Sequence, residues 1–418
     1  MRKFFTAAAF TLSIAGGPAL AAEPDGLMLP PGFHASVVAE GLGSIRHMAI
    51  RDNGDIYVST LHGRDQPSLG IIALRPGPDH KATQIEHFGN VDQGTGIRIY
   101  KGALYAASAT GIYRFALDGD GLVPMAAPQT VVDGLAVSNH AIAFDGGGSL
   151  FVSLDGGGNI CADPSRPKGS RPVGLKPCPN LEVKGGIWRM DAALSGQKFS
   201  DSEHYATGIR NMSALDWRQG DALYGAVHGR DGAHAAFSEI ISASDDDAIP
   251  DEMFRIVKGT DMGWPYTYYD GAHKLRLIAP EYGGDGKTVP ADGNYATPVA
   301  AFQPHRPAVL DLAFYNANRF PLMYRGGAFL AMHGGDGPGP MPGGYGGYNV
   351  MFVPFRGNQA GTPIVFADGF AGPSPDDKIG KTAAYRPVGL AVGADGALYV
   401  ADSNKGRIWR ISYGETSN

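Results

Sequence analysis

The chain has 418 residues, 61 of them Gly and 30 Pro, with 18% charged and 10% aromatic, a balance that fits neither a disordered chain nor a helical one. A formal net charge of −6 without any basic run argues against nucleic acid as a partner. No apolar stretch is long enough to span a bilayer.

The first segment reads as a secretory signal. Arg2 and Lys3 give a positive start, an apolar stretch runs to Gly17, and Ala19-Leu20-Ala21 offers a small-residue cleavage site. Residues 1–21 are therefore expected to be removed, leaving 22–418 as one exported domain, periplasmic in a Gram-negative host.

From there a strand–turn–strand unit recurs. It appears as RHMAI, DNG and IYVS at 46–59, as NHAIAF, a Gly triplet and LFVS at 139–153, and as RNMSAL then LYGA at 210–226. Looser copies lie at 96–107 and 306–332, and a clear one, RPVGLAV then ALYVA, spans 386–401. A closing strand repeats as well: GIYRF at 111–115, GIWRM at 186–190, EMFRI at 252–256 and RIWRI at 407–411. Alternating apolar runs punctuated by Gly, Asp and Asn are strands with tight turns. Their repetition predicts an all-β, six-bladed β-propeller with four-stranded antiparallel blades. A tandem of β-sandwiches would not repeat one unit so regularly. Segments 193–207 and 266–298 read as irregular excursions between blades, and the Gly-Pro run at 334–347 as a surface loop.

The only cysteines, Cys161 and Cys178, flank a Pro- and Lys-rich loop. In an oxidising compartment they pair, and closing that loop is worth roughly 3 kcal/mol in the chain-entropy model. A two-cysteine metal site is the alternative, although no further Cys or nearby His pair completes it.

In a propeller the innermost strands line the central channel, and the residues beginning them gather at one mouth. The polar residues placed there are Arg46, His47, His140, Arg210 with Asn211, Arg306 and Arg386. One Arg alone is ordinarily a local ion pair. A ring of like charges repels itself and invites a polyanion, and Arg suits carboxylates in particular. His140, preceded by the small polar pair Ser138-Asn139, is expected to titrate near neutrality, unless it merely bonds a backbone carbonyl.

At this point the motifs resemble the glucose/sorbosone dehydrogenase family. They are TGIRN at 207–211, VHGRD at 227–231, GWPY at 263–266, NIC at 159–161 with CP at 178–179, APEYGGDG at 279–286, YRGGAF at 324–329 and FVPF at 352–355. The resemblance covers nearly all of 22–418. It implies a six-bladed propeller that oxidises an aldose or an aldehyde sugar such as sorbosone, using pyrroloquinoline quinone (PQQ) and calcium. It also implies a sugar substrate and a periplasmic electron acceptor. By the same resemblance His140 is the general base for a sugar hydroxyl, and Arg210 stabilises charge at the quinone carbonyl. Asn211 and Arg386 join Arg210 in holding the cofactor by that resemblance, Arg46 and Arg306 are expected to join them from their places at the mouth, and the resemblance has the backbone carbonyls of Gly229 and Arg230 touch the calcium.

Departures accompany the match. Arg306 stands where the family often has an aromatic residue, GDGP at 335–338 replaces a basic motif, Ala235 and Ala236 follow His234, and Ala384 replaces an arginine. They imply a remodelled pocket. Two other functions compete: a non-catalytic sugar- or partner-binding propeller, and a calcium-dependent lactonase, which needs carboxylates and amides lining the channel. Specificity is expected in loops 193–207, 231–250 and 334–347.

Overall fold

The computed structural model describes residues 18–23, 25–61, 70–89, 94–167, 169–303, 307–335 and 346–414. Six sheets surround a central channel, as the repeats predict. Their innermost strands are Ile45–Ile50, Ile97–Tyr100, Ile142–Phe144, Ala214–Trp217, Val309–Phe314 and Pro387–Val392, numbered here as blades 1 to 6. Most of the expected signal segment, 1–17, lies outside the described residues.

Turn chemistry sets each hairpin. In blade 1 the Asp55 amide donates to Asn53 Oδ1 at 3.1 Å, and Gly54 takes φ +92°, which a side chain rarely tolerates. In blade 3 one Asp145 oxygen accepts from the amides of Gly147, Gly148 and Ser149. The second strands, such as Ile56–Thr60 and Leu398–Asp402, are buried at every position. Neighbouring blades cover both of their faces, so they read as continuous apolar runs rather than as alternation.

Three expectations need correction. The repeated closing strands are the third of each blade, with a less regular strand outside them, such as Glu203–Thr207 in blade 3. Among the described residues, blades 2 and 3 carry a fifth strand, Gln197–Lys198 and Thr260–Asp261, each paired in parallel on the edge. Segment 193–207 thus joins two blades instead of wandering between them. Segment 266–298 likewise contains a hairpin, Thr267–Asp270 with Leu275–Ile278.

The ring closes through a pairing that no local pattern displays. Phe33–Ala39 runs antiparallel to Ile408–Tyr413 and supplies the outer strand of blade 6. Phe33 then packs edge-on against Phe320 at 4.8 Å and Phe366 at 5.0 Å, joining the chain's beginning to blade 5. Each such aromatic pair adds about 0.5–1.5 kcal/mol beyond area burial.

Charges cross the channel axis. Arg98 on blade 2 donates to the Leu215 carbonyl of blade 4 at 3.2 Å and to Asp311 of blade 5 at 3.1 Å. Asp311 accepts from the Leu390 amide of blade 6 at 2.8 Å, and His47 of blade 1 donates to the Leu310 carbonyl at 2.7 Å. One polar cluster thereby ties five blades together. His47, expected in the cationic ring at the mouth, is fully buried instead, 3.8 Å from Asp311, and burial holds it below the usual histidine range.

Candidate active site

The strand starts converge at the channel mouth, and Arg386 stands there immediately before the inner strand of blade 6. Its backbone amide donates to Asp402 at 2.6 Å, Asp402 being the last residue of the second strand of the same blade. Its side chain is 7% exposed overall and lies over the Tyr348 ring at 5.6 Å. The guanidinium donates to the carbonyls of His333 at 3.2 Å, Gly334, and Gly335 at 3.4 Å. A fixed charge thus clamps the turn at 333–335 while remaining at the mouth.

His333 completes this side. Its ring pairs with the Ser403 hydroxyl at 2.8 Å, and its pKa is held well below the usual range by burial, then by Arg386 and Arg46, with His228 adding. Arg386, Arg46 and His228 thus all lie near enough to this buried ring to oppose its protonation. His228 itself donates to the Val309 carbonyl at 2.8 Å.

Across the mouth, Asp155 organises the second group. It accepts from the Asn211 amide side chain at 2.7 Å and from the Met212 backbone at 2.9 Å. Burial pushes this carboxyl up, while His228 and His140 lie near enough to oppose the shift. Asn211 therefore turns toward Asp155. His140 is fully buried, with Nδ1 3.0 Å from the Ser153 carbonyl and Nε2 3.0 Å from that of Ala109. Burial lowers its pKa, so the ring is neutral near pH 7 and carries one proton for two carbonyl contacts.

Arg210 stands at the rim, charge-paired to Asp231 and donating through Nε to Asn159 at 2.9 Å. The adjoining turn is tight: the Gly229 amide donates to Asp251 at 2.9 Å, and a Cβ at Gly229 would meet the Pro250 carbonyl at 2.4 Å. The Arg230 side chain is engaged elsewhere, which leaves the role expected of its backbone carbonyl untouched. The guanidinium forms a bidentate pair with Glu281 at 2.6 and 3.0 Å, with both groups buried. Cys161 and Cys178 are joined as a disulfide, not as two ligands of a metal site. Arg306 lies outside the described residues, as do 336–338 of the replaced motif.

Asp155, Asn159, Asp231, His228 and His333 were not singled out as site residues from the sequence. One signal exists: an Asp follows the second strand in both VSLD at 152–155 and VAD at 400–402, and each caps the start of an inner strand. Among the described residues no group of three His, Cys, Asp or Glu side chains is placed to hold a metal ion. A cavity of about 1360 Å³ reaches the mouth at Pro307, Met332 and Gly347 from between blades 4 and 5.

Fold and site together define a six-bladed propeller with a cationic mouth beside a buried neutral histidine. Residues 127–333 match the Glucose / Sorbosone dehydrogenase family, and residues 286–414 match the TrAA12-like family. The resemblance read from the motifs is borne out over residues 127–333, the stretch that matches the Glucose / Sorbosone dehydrogenase family model. Among solved structures, the iodide structure of a Trichoderma reesei Carbohydrate-Active Enzymes Family AA12 protein superposes with TM-score 0.70 at 15% identity, covering 97% of this chain and 100% of that one. The holo PQQ domain of Coprinopsis cinerea pyranose dehydrogenase gives 0.69 at 16%, covering 93% and 98%. The PQQ-bound aldose sugar dehydrogenase of Streptomyces coelicolor gives 0.55 at 20%, covering 92% and 99%. At these identities the superpositions establish the fold. A sequence comparison with curated proteins finds no match.

Proposed function

We propose that this protein oxidises an aldose or aldehyde sugar with bound PQQ. The observation that carries the reading is the pair of strand-start arginines, Arg386 and Arg46, near the one buried ring of His333, with the buried His140 neutral. Two guanidinium charges at one mouth fit a ligand bearing carboxylates. Arg46 and Arg386 would hold carboxylates, with Arg210 at the opposite rim. The calcium would rest on the carbonyls of Gly229 and Arg230, in keeping with the absence of a side-chain metal cluster among the described residues.

When bound, the quinone supplies a two-electron acceptor for the sugar's C1 hydride. The chain's part is to take the hydroxyl proton. The Ser153 contact of His140 is enclosed, whereas the Ala109 contact lies at a partly exposed edge. With its proton on Nδ1 toward Ser153, His140 would act as a base through Nε2 once that nitrogen parts from the Ala109 carbonyl. Arg210 would steady negative charge growing opposite, its own charge moderated by Asp231. Export to the periplasm, with an acceptor there, belongs to the same reading. It is supported by the charged, then apolar, N-terminal sequence and by the disulfide.

The test is reconstitution of purified apo-protein with PQQ and Ca²⁺. The expected result is a change in cofactor absorption and dye reduction with some member of an aldose panel. Absence of both binding and turnover would overturn the proposal. One observation favours a second reading, a sugar-binding propeller without catalysis: Arg386 is engaged by three carbonyls and Arg210 by Asp231. Sugar binding without PQQ uptake would select it. The lactonase reading has no support in the site.

Arg386→Ala separates these roles further. Losing one charge-assisted contact is worth about 1.5–3 kcal/mol, so PQQ affinity should fall about 10- to 100-fold in equilibrium titration. Wild-type affinity in that variant would show that Arg386 serves only the 333–335 turn.

A further inference from the structure

The loop closed by the disulfide reaches the site through one residue. Asn159, two positions before Cys161, touches three groups of blade 4. Its Oδ1 accepts from Arg210 Nε at 2.9 Å and from the Asp231 amide at 3.0 Å. Its Nδ2 donates to the Asp231 carbonyl at 2.7 Å. Asn159 thus fixes both the plane of the Arg210 guanidinium and the end of the turn containing Gly229 and Arg230, which come from different strand ends.

What holds Asn159 is the disulfide lobe. The Trp264 indole donates to the Gly158 carbonyl at 2.9 Å, and the Cys161 amide to the Tyr282 hydroxyl at 3.1 Å. The Cys178 amide donates to the Tyr266 hydroxyl at 2.7 Å, and the Leu175 amide to the Cys161 carbonyl at 2.8 Å. Both cysteines are buried against Trp264 in one apolar cluster. A Cβ at Gly156 would meet the Trp264 ring at 2.5 Å, so the chain passes directly over the indole on its way to Asn159. Tyr266 and Tyr282 are anchored outside the loop, so the bond between the cysteines fastens both ends of the lobe to one surface.

We propose that Asn159 is a positioning residue for Arg210 and for the 229–231 turn, and that the Cys161–Cys178 disulfide sets where Asn159 stands. Its catalytic consequence rests on the sugar-oxidation reading; its geometric content does not. A misplacement of about 1 Å at such a group costs on the order of 100-fold in rate. The disulfide is then part of the site's precision as well as of the fold's stability.

The experiment has two arms. In the cofactor-free arm, hydrogen exchange of residues 229–232 is followed by mass spectrometry. Asn159→Ala, the double variant Cys161→Ser/Cys178→Ser, and wild type reduced after folding should each exchange about 10-fold faster than the oxidised wild type, as expected for loss of one hydrogen bond. Combining Asn159→Ala with reduction should add nothing further. Wild-type protection after reduction, or additive effects, would overturn the proposal. In the second arm, with PQQ and Ca²⁺, Asn159→Ala should lower kcat about 10- to 100-fold with sugar KM changed less than about 3-fold. Asn159→Asp, which keeps both acceptor contacts, should recover part of that loss. An unchanged kcat would remove the catalytic consequence. Absence of turnover in wild type would count against the sugar-oxidation reading, and the exchange arm would still decide the geometry.

Discussion

His140→Ala should lower sugar turnover by about 100- to 10,000-fold, the range contributed by a positioned general base, while leaving PQQ uptake unchanged. The imidazole is buried between the Ser153 and Ala109 carbonyls and makes no contact with Arg46 or Arg386, the groups proposed to hold the cofactor. The pH profile of the wild type carries a second signature. Burial lowers the His140 pKa from 6.5. A base works unprotonated, so the acid limb of kcat/KM should fall away below pH 6.5, with activity present above it. Loss of PQQ uptake in the variant would instead mark His140 as a structural residue, and an acid limb above pH 6.5 would assign the base elsewhere. Differential titration of cofactor and dye-linked rates across pH 5–8 decides both points.

Arg98→Met should be the most destabilising single change in the channel. Arg98 is the cation beside Asp311, which is fully buried, and its field also lowers Asp216. Removing one partner from a buried pair leaves an uncompensated charge and costs about 3–5 kcal/mol. With an unfolding entropy of about 2.1 cal/mol/K per residue, each kcal/mol is worth roughly 1 °C here, so Tm should fall by about 5 °C at pH 7.5. The sign of the pH dependence follows from Asp216, whose pKa burial pushes up to about 6. The folded state then binds more protons than the unfolded one between about pH 4 and 6, so stability declines as pH rises through that window. Without Arg98 that window extends upward, and the Tm deficit should be larger at pH 7.5 than at pH 5. Equal deficits, or none, in scanning calorimetry would show that the axial charges are not coupled to folding.

These two positions also show how far local reasoning reaches. His140 was expected at the mouth from its place at the start of a repeated strand, and the structure buries it between two backbone carbonyls. Arg98 sits in the looser copy at 96–107, and nothing near it in sequence announces a carboxylate: its partner Asp311 lies 213 residues away. His47 illustrates the opposite error. It shares the strand-start pattern with Arg46, but successive residues of a strand point to opposite faces. One step along the strand therefore separates a group at the mouth from one fully buried on the axis.

Asn211 teaches the same lesson. Its motif places it at the site, yet its amide is taken by Asp155. Motif position predicts where a backbone passes; competition among neighbouring charges decides where a side chain goes.

By itself, then, the sequence determined the strands, the turns, the blade number and the residues that begin each inner strand. All of these depend on periodicity and turn chemistry acting over a few residues. Only the tertiary structure decided that Phe33–Ala39 closes the last blade, that Arg386 clamps the 333–335 turn, that Arg98 ties blades across the axis, and that Asn159 links the disulfide lobe to Arg210. Each of these pairings joins groups with no local pattern between them. Its free energy comes from removing charges and amides from water together, a term that exists only once the ring has closed.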